Sequence, residues 1–189
     1  LAIIYRIVGK GTEALNRVDA GQEVSLMGPL GNGFPEPAAD CVPVLVAGGY
    51  GVAPLVFLSR ESGRNGVAFI GGATGEDIMC DAELKDLGFD VRIATEDGFG
   101  GEKGLVTDIL DRWLDEEGKR IRAELFACGP DGMLRAVADR ALDYGLKAWL
   151  SLDRHMGCGL GACLACVQKV RLADGREALK RVCRDGPVF

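Results

Sequence analysis

Cys158, Cys163, Cys166 and Cys183 constrain this chain more than any other feature. The first three lie in the run Cys158-Gly159-Leu160-Gly161-Ala162-Cys163-Leu164-Ala165-Cys166, and sixteen residues separate Cys166 from Cys183. Those gaps let four thiolates converge on one centre, so any fold must wrap a loop and a returning segment around it. A Cys-x4-Cys-x2-Cys run with a more distant fourth cysteine is a ligand spacing of [2Fe–2S] centres. Gly157, Gly159 and Gly161 let the backbone curl round an inorganic core because glycine has no Cβ to clash, and Ala162 and Ala165 are small for the same need. Structural zinc is the competing reading, since it too recruits cysteines at short spacing. Zinc, however, does not require three glycines in and beside a four-residue gap. His155 is the single histidine, and a Rieske-type site needs two, so it is read as a local packing or hydrogen-bonding residue.

Composition narrows the setting. Seven cysteines, four of them at ligand spacing, suit a reducing compartment and not a disulfide scaffold, and cytoplasm is the expectation. Cys41 and Cys80 have no partners at ligand spacing and are read as structural. The net charge of -6 argues against a nucleic-acid surface. No apolar run approaches the ~20 residues that span a bilayer. The chain opens on Leu1 and not Met, with no signal-peptide pattern, so the true N-terminus is expected to lie upstream.

From residue 42 onward, apolar runs alternate with helical patterns. Strands are expected at 42–47, 67–70, 89–94, 125–127 and 148–152, and helices at 54–61, 77–87, 105–114 and 131–144. That alternation predicts an α/β fold, a five-stranded parallel doubly wound sheet with right-handed crossovers. The block before it reads differently: a strand over 1–7, a short helix with Thr12 as N-cap, a strand over 22–27, and a turn-rich loop from Gly28 to Pro37. Two strands and a helix cannot build a core alone, so this block is expected to be the end of a β domain. Asp115 to Arg120 reads as a solvated helix end.

Three further motifs fall at strand ends, where open α/β sheets bind ligands. Gly48-Gly49-Tyr50-Gly51-Val52-Ala53-Pro54 follows the first buried strand, and its glycines would let a pyrophosphate reach a helix N-terminus. It departs from the G-x-G-x-x-G pattern, and a plain strand-turn-helix junction explains it almost as well. Cys128-Gly129-Pro130 ends the fourth strand, where a lone cysteine is otherwise just a small buried apolar residue. Thr95 to Gly104 is a glycine-rich loop after the third strand.

With these motifs in order, the chain resembles the electron-transfer subunits of NAD-dependent (class 1B) dihydroorotate dehydrogenases, within the ferredoxin-reductase-like flavoproteins. The resemblance rests on Ile4-Tyr5-Arg6, Gly11-Thr12, Gly28 to Phe34, the Gly48 loop, Thr95 to Gly104, Cys128-Gly129-Pro130, His155 to Cys166, and the ending Lys180 to Phe189. It implies that Ile4, Tyr5, Arg6, Gly11 and Thr12 contact FAD, and that Gly48, Gly49, Gly51, Pro54, Asp97, Cys128, Gly129 and Pro130 serve NAD. Cys128 falls where nicotinamide meets flavin, and Cys158, Cys163, Cys166 and Cys183 bind the [2Fe–2S] cluster. It implies three domains: 1–40, the C-terminal part of a FAD-binding β-barrel; 41–153, the NAD-binding α/β domain; and 154–189, the cluster domain. The family's upstream flavin strand has no counterpart, so the chain is expected to begin inside the barrel. Phe99 stands where the family usually has Ser, and Tyr50 where it usually has Ile. The implied partner is an FMN-containing dihydroorotate dehydrogenase catalytic subunit, in a heterotetramer of two of each. Acidity at Ala73-Thr74-Gly75-Glu76, with no Arg for a 2′-phosphate, favours NAD over NADP. The small subunit of a bifurcating NADH–ferredoxin oxidoreductase and an oxygenase reductase are neighbouring readings. A non-catalytic zinc-binding module is the reading from another class.

Overall fold

A computed structural model describes residues 2–172 and 174–189 of the chain; Leu1, the first residue of the expected N-terminal strand, lies outside them. In chain order the strands of the main sheet are β1 (Val42–Gly48), β2 (Val67–Gly72), β3 (Asp90–Thr95), β4 (Glu102–Lys103), β5 (Ala123–Cys128) and β6 (Lys147–Ser151). They pair in the order β4-β3-β2-β1-β5-β6, every pair parallel. Parallel strands need crossovers, supplied by α2 (Val52–Ser62), α3 (Asp81–Asp86), α4 (Val106–Glu116) and α5 (Asp131–Asp143), so the sheet is covered on both faces. α1 (Lys10–Leu15) stands apart near the N-terminus.

Side chains alternate across the sheet with the strand period of two. Val44 and Val46 point to one face and pack with Phe69, Leu110, Trp113 and Val137. Leu45 and Ala47 point to the other and pack with Leu55, Ile70, Leu84 and Phe126. Each fully buried large apolar side chain contributes about 1.5–3 kcal/mol relative to exposure, so these two layers hold the sheet without help from any ligand.

The sheet has six strands where five were expected. The extra one, β4, comes from the Thr95–Gly104 loop, which turns back so that Ala94 and Thr95 register with Glu102 and Lys103. A two-residue strand has no apolar period and is defined only by its partner. The expected helix 77–87 is shortened to α3, because Asp77 accepts bonds from the Ala73 and Thr74 N–H groups and Cys80 takes a left-handed conformation at φ 58.

The N-terminal block departs further. Residues 2–7 and 22–27 form no strand, because among the described residues no neighbouring strand runs beside them to supply a ladder. They leave apolar side chains in solvent, Ile7 at 50% and Leu26 at 67% exposed. Thr12 is not the N-cap of α1. Gly9 precedes the helix, and the Thr12 hydroxyl accepts from the Val8 and Gly9 amides and donates to the Gly9 carbonyl.

Beyond the sheet, β7 (Val167–Arg171) and β8 (Glu177–Arg181) form an antiparallel hairpin, and α6 (Val182–Asp185) follows directly. The last residues then return to the sheet edge: Leu150 and Phe189 exchange backbone bonds of 2.9 and 3.0 Å, and the Leu152 amide donates to the Pro187 carbonyl. Where the linker meets the sheet, buried Glu124 accepts from the Ala38 amide (2.8 Å) and the Trp149 indole (2.9 Å) and pairs with Lys147 (3.2 Å). Among the described residues no helix is long and apolar enough to cross a membrane.

Candidate functional site

Two sites meet at the carboxyl ends of the sheet strands. The first is a cleft of about 940 Å³. Its floor is built from the turns after β1, β2 and β5, with Gly48, Gly49, Gly51, Gly71, Cys128 and Pro130 among its lining. Ile4, Tyr5 and Arg6 form part of the opposite wall.

The glycines of the two sequence motifs need each other. A Cβ on Gly51 would collide with the Cys128 carbonyl oxygen, and one on Gly48 would lie 2.5 Å from the Pro130 ring. Their missing side chains therefore let the β1 and β5 turns interlock, where the sequence suggested they were kept free for a ligand. Gly49 differs: it takes a left-handed φ of 52° with nothing within 4 Å of where its Cβ would be, so it leaves the approach to the first turn of α2 open.

Cys128 closes β5 opposite Ser151 in register. Burial pushes its thiol pKa up, with Ser151 hydrogen bonding opposing, so the sulfur stays protonated and neutral. Across the cleft the Tyr50 hydroxyl donates to Asp153 (3.4 Å), and the nearby Asp153 charge is the main reason its pKa is raised. Arg6, which the resemblance implies contacts FAD, pairs with Asp77 at 2.7 Å. The Asp77 carboxyl is lowered chiefly by the Thr74 amide, with Arg6 adding to it. Glu76, Asp77 and Glu96 make that rim acidic, and Arg6 is the cation among the described lining residues.

Of the expected nucleotide and flavin residues, four stand outside this lining. Gly11 and Thr12 are in α1, a helix of six residues. Pro54 lines a smaller cavity of about 280 Å³ with Phe34 and Phe57. The Asp97 carboxylate accepts the Phe99 amide at 2.9 Å, shaping its own loop, while Glu96 faces the cleft. Sequence reasoning missed Asp77 and Arg154. Arg154 joins Asp131, at the start of α5, to Gln168 in β7. The spacing Thr74-x-x-Asp77 carried a capping signal for the first; nothing local marked the second.

The second site is the cysteine loop. The Cys158 sulfur accepts amide bonds from Leu160 (3.3 Å), Ala162 (3.3 Å) and Cys163 (3.4 Å), and the Cys166 sulfur accepts the Cys183 amide (3.4 Å). Left-handed turns at Gly159 and Gly161 aim those amides inward. The Cys163 amide, followed by those of Leu160 and Ala162, lowers the Cys158 pKa to about 6, and the Cys183 amide lowers that of Cys166. Both sulfurs are thus held toward thiolate, the form that binds metal. Arg181 braces the loop, donating to the Gly161 carbonyl and pairing with Asp185. Backbone geometry thus brings the cysteines together two by two, the Cys163 amide on the Cys158 sulfur and the Cys183 amide on the Cys166 sulfur. Amides aimed at cysteine sulfur are what iron–sulfur clusters use.

Comparison with known proteins agrees in outline with this geometry. The family model described as the iron-sulfur cluster binding domain of dihydroorotate dehydrogenase B matches residues 153–189. The dihydroorotate dehydrogenase B (NAD(+)) electron transfer subunit of Desulforamulus reducens is 38% identical over 192 residues, covering 100% of this chain and 72% of its own length. That of Geobacillus kaustophilus is 42% identical over 193 residues, covering 99% and 71%. Among solved structures, that of an NADH-dependent reduced ferredoxin-NADP oxidoreductase superposes with TM-score 0.77 at 31% identity, over 98% of this chain and 65% of that one. The CS-b5R domains of human Ncb5or share the fold alone, with TM-score 0.61 at 18% identity over 77% and 47%.

Proposed function

Because the chain belongs to the family of electron transfer subunits of NAD-dependent dihydroorotate dehydrogenase B, we propose that it carries electrons between a dihydroorotate-oxidising partner and NAD through a [2Fe–2S] centre and FAD. When bound, the centre moves single electrons, flavin gathers them into pairs and nicotinamide takes a pair as hydride, while the protein supplies position and tuning. Cys158, Cys163, Cys166 and Cys183 would hold the cluster, which would supply one-electron transfer there. The inward amides favour the thiolate form of Cys158 and Cys166. Ile4, Tyr5 and Arg6 form the flavin wall, with Gly11 and Thr12 behind it. Gly49 keeps the path to the α2 N-terminus clear for a pyrophosphate, with Gly48, Gly51, Gly129 and Pro130 fixing the interlocked turns beneath. Pro54 shapes the first turn of α2, and Asp97 shapes the neighbouring loop. Cys128, neutral and half-buried, stands between the flavin wall and the nicotinamide seat. The acidic rim with Glu76 suits ribose hydroxyls and repels a 2′-phosphate.

In this reading residues 1–40 belong to the flavin domain, 41–153 to the nucleotide domain and 154–189 to the cluster domain. The partner is the FMN-containing catalytic subunit, two copies of each assembling in the cytoplasm. The observation that carries the reading is the set of amides on the Cys158 and Cys166 sulfurs, beside a cleft at the strand ends. The test is reduction of the assembled complex. Dihydroorotate is expected to bleach both flavin and cluster bands, and NADH to do the same from the other side. A complex that responds to NADH but never to dihydroorotate removes this partner and favours a ferredoxin-linked role. Protein without visible bands and with one zinc per chain ends the cluster assignment.

A further inference from the structure

Four hydrogen bonds join Asn32 to the segment that follows the fourth cysteine. Its amide donates to the Gly186 carbonyl (2.5 Å), and its carbonyl accepts the Val188 amide (3.4 Å). Its side-chain Nδ2 donates to the carbonyls of Arg184 (3.2 Å) and Asp185 (3.3 Å). Those two carbonyls end α6, the helix that carries Cys183. The last carbonyls of a helix have no partner within it, so the Asn32 side chain caps this helix from a residue 152 positions away in sequence. A Cβ on neighbouring Gly31 would lie 2.5 Å from the Gly186 oxygen and 3.3 Å from the Cys183 oxygen, so backbone meets backbone here. Leu30 reaches the Gly159 turn of the cysteine loop. At its far end the same loop is anchored by Phe34, edge-on to Phe126 at 5.9 Å, in the apolar cluster that Ile4 of the flavin wall also joins.

We propose that Asn32 is a positioning residue that locks the Cys183 helix to the 28–34 loop and so fixes the gap between the iron–sulfur centre and the flavin. This rests on the cofactor assignment above. The step served is transfer of one electron between centre and flavin, in which one is oxidised, the other reduced, and no bond breaks. An amide is the required group. Alanine removes both Nδ2 bonds, and aspartate sets a carboxylate against two carbonyl oxygens.

The test uses the holoprotein and two variants, Asn32→Ala and Asn32→Asp, mixed with NADH in a stopped-flow instrument. NADH gives hydride to the flavin, which then passes one electron to the centre, so flavin and cluster bleaching are read as separate phases. Losing two neutral hydrogen bonds lowers the ratio of docked to undocked arrangement about thirtyfold. The cluster phase is expected to slow by up to about that factor, more in Asn32→Asp, while the flavin phase, the iron content and the EPR signal of the reduced centre stay as in the parent. Unchanged cluster phases in both variants would overturn the proposal. Loss of iron from both would overturn it as well, because Asn32 would then serve assembly and not distance. A parent protein lacking either phase would instead defeat the underlying cofactor assignment.

Discussion

The sheet and the cysteine loop are held by opposite means. The sheet buries Val44, Leu45, Phe69, Trp113 and Phe126 in two apolar layers. Among the described residues of the loop region, the buried cluster is Cys166, Val182 and Cys183, two of which are thiols. What fixes the loop is polar: amides on sulfur, the Arg181 brace and the Asn32 cap. The lesson is that one region is stable by itself, while the other completes its interactions only when its thiols have something to bind.

The sharpest way to break that contrast is Cys183→Ser. We expect complete loss of the [2Fe–2S] absorption, with fast amide exchange spreading through 154–166 and 182–186. Protection at 44–47 and 123–128 should persist, since no sheet contact changes. Hydrogen-exchange mass spectrometry decides this, and exchange rising equally in β1 would show that the two regions share one cooperative unit. Trp113→Ala is the converse. Trp113 is 1% exposed and packs edge-on to Phe69 at 5.8 Å, so its removal should cost about 3–5 kcal/mol in denaturant unfolding. The cluster spectrum of the folded fraction should stay as it was.

How much of this was legible follows the same divide. β1, β2, β3, β5 and β6 announced themselves because both faces are buried and each reads as an apolar run. The four cysteines were visible because ligand spacing is local in sequence. β4 and the returning Phe189 were not, since pairing with a distant edge defines them. The unpaired stretches 2–7 and 22–27 show the same point in reverse: β-branched residues propose a strand, but only a neighbour makes one. The turns that follow β1 and β5 were found for a reason the structure revises, because the Cβ that Gly51 lacks would strike Cys128 and not a ligand.

That revision is itself testable. Gly51→Ala should cost about 1–3 kcal/mol by overpacking two backbones, and it should weaken nucleotide binding by shifting the β5 turn. Gly49→Ala should cost about 1 kcal/mol through the strain of its left-handed φ, with no clash added and the β5 turn left in place. Equal losses in thermal unfolding would mean that the two glycines do the same job.

Glu124 gives the finest probe of how the segment before β1 joins the sheet. Burial alone would raise its pKa, but the Ala38 amide, the Trp149 indole and Lys147 outweigh it, and the net shift is downward. A carboxyl lowered in the folded state stabilises above its unfolded value of about 4.3, and that stability disappears as pH falls through the folded value. Glu124→Gln keeps one acceptor but turns an NH2 toward groups that are all donors, at a cost of about 1–2 kcal/mol near pH 7. Urea midpoints should therefore differ between parent and variant at neutral pH and converge in acid, because the protonated parent loses the same acceptor. A gap that stays constant down through the carboxylate range would mean that the ionised form contributes nothing, and that Ala38 is held by packing alone.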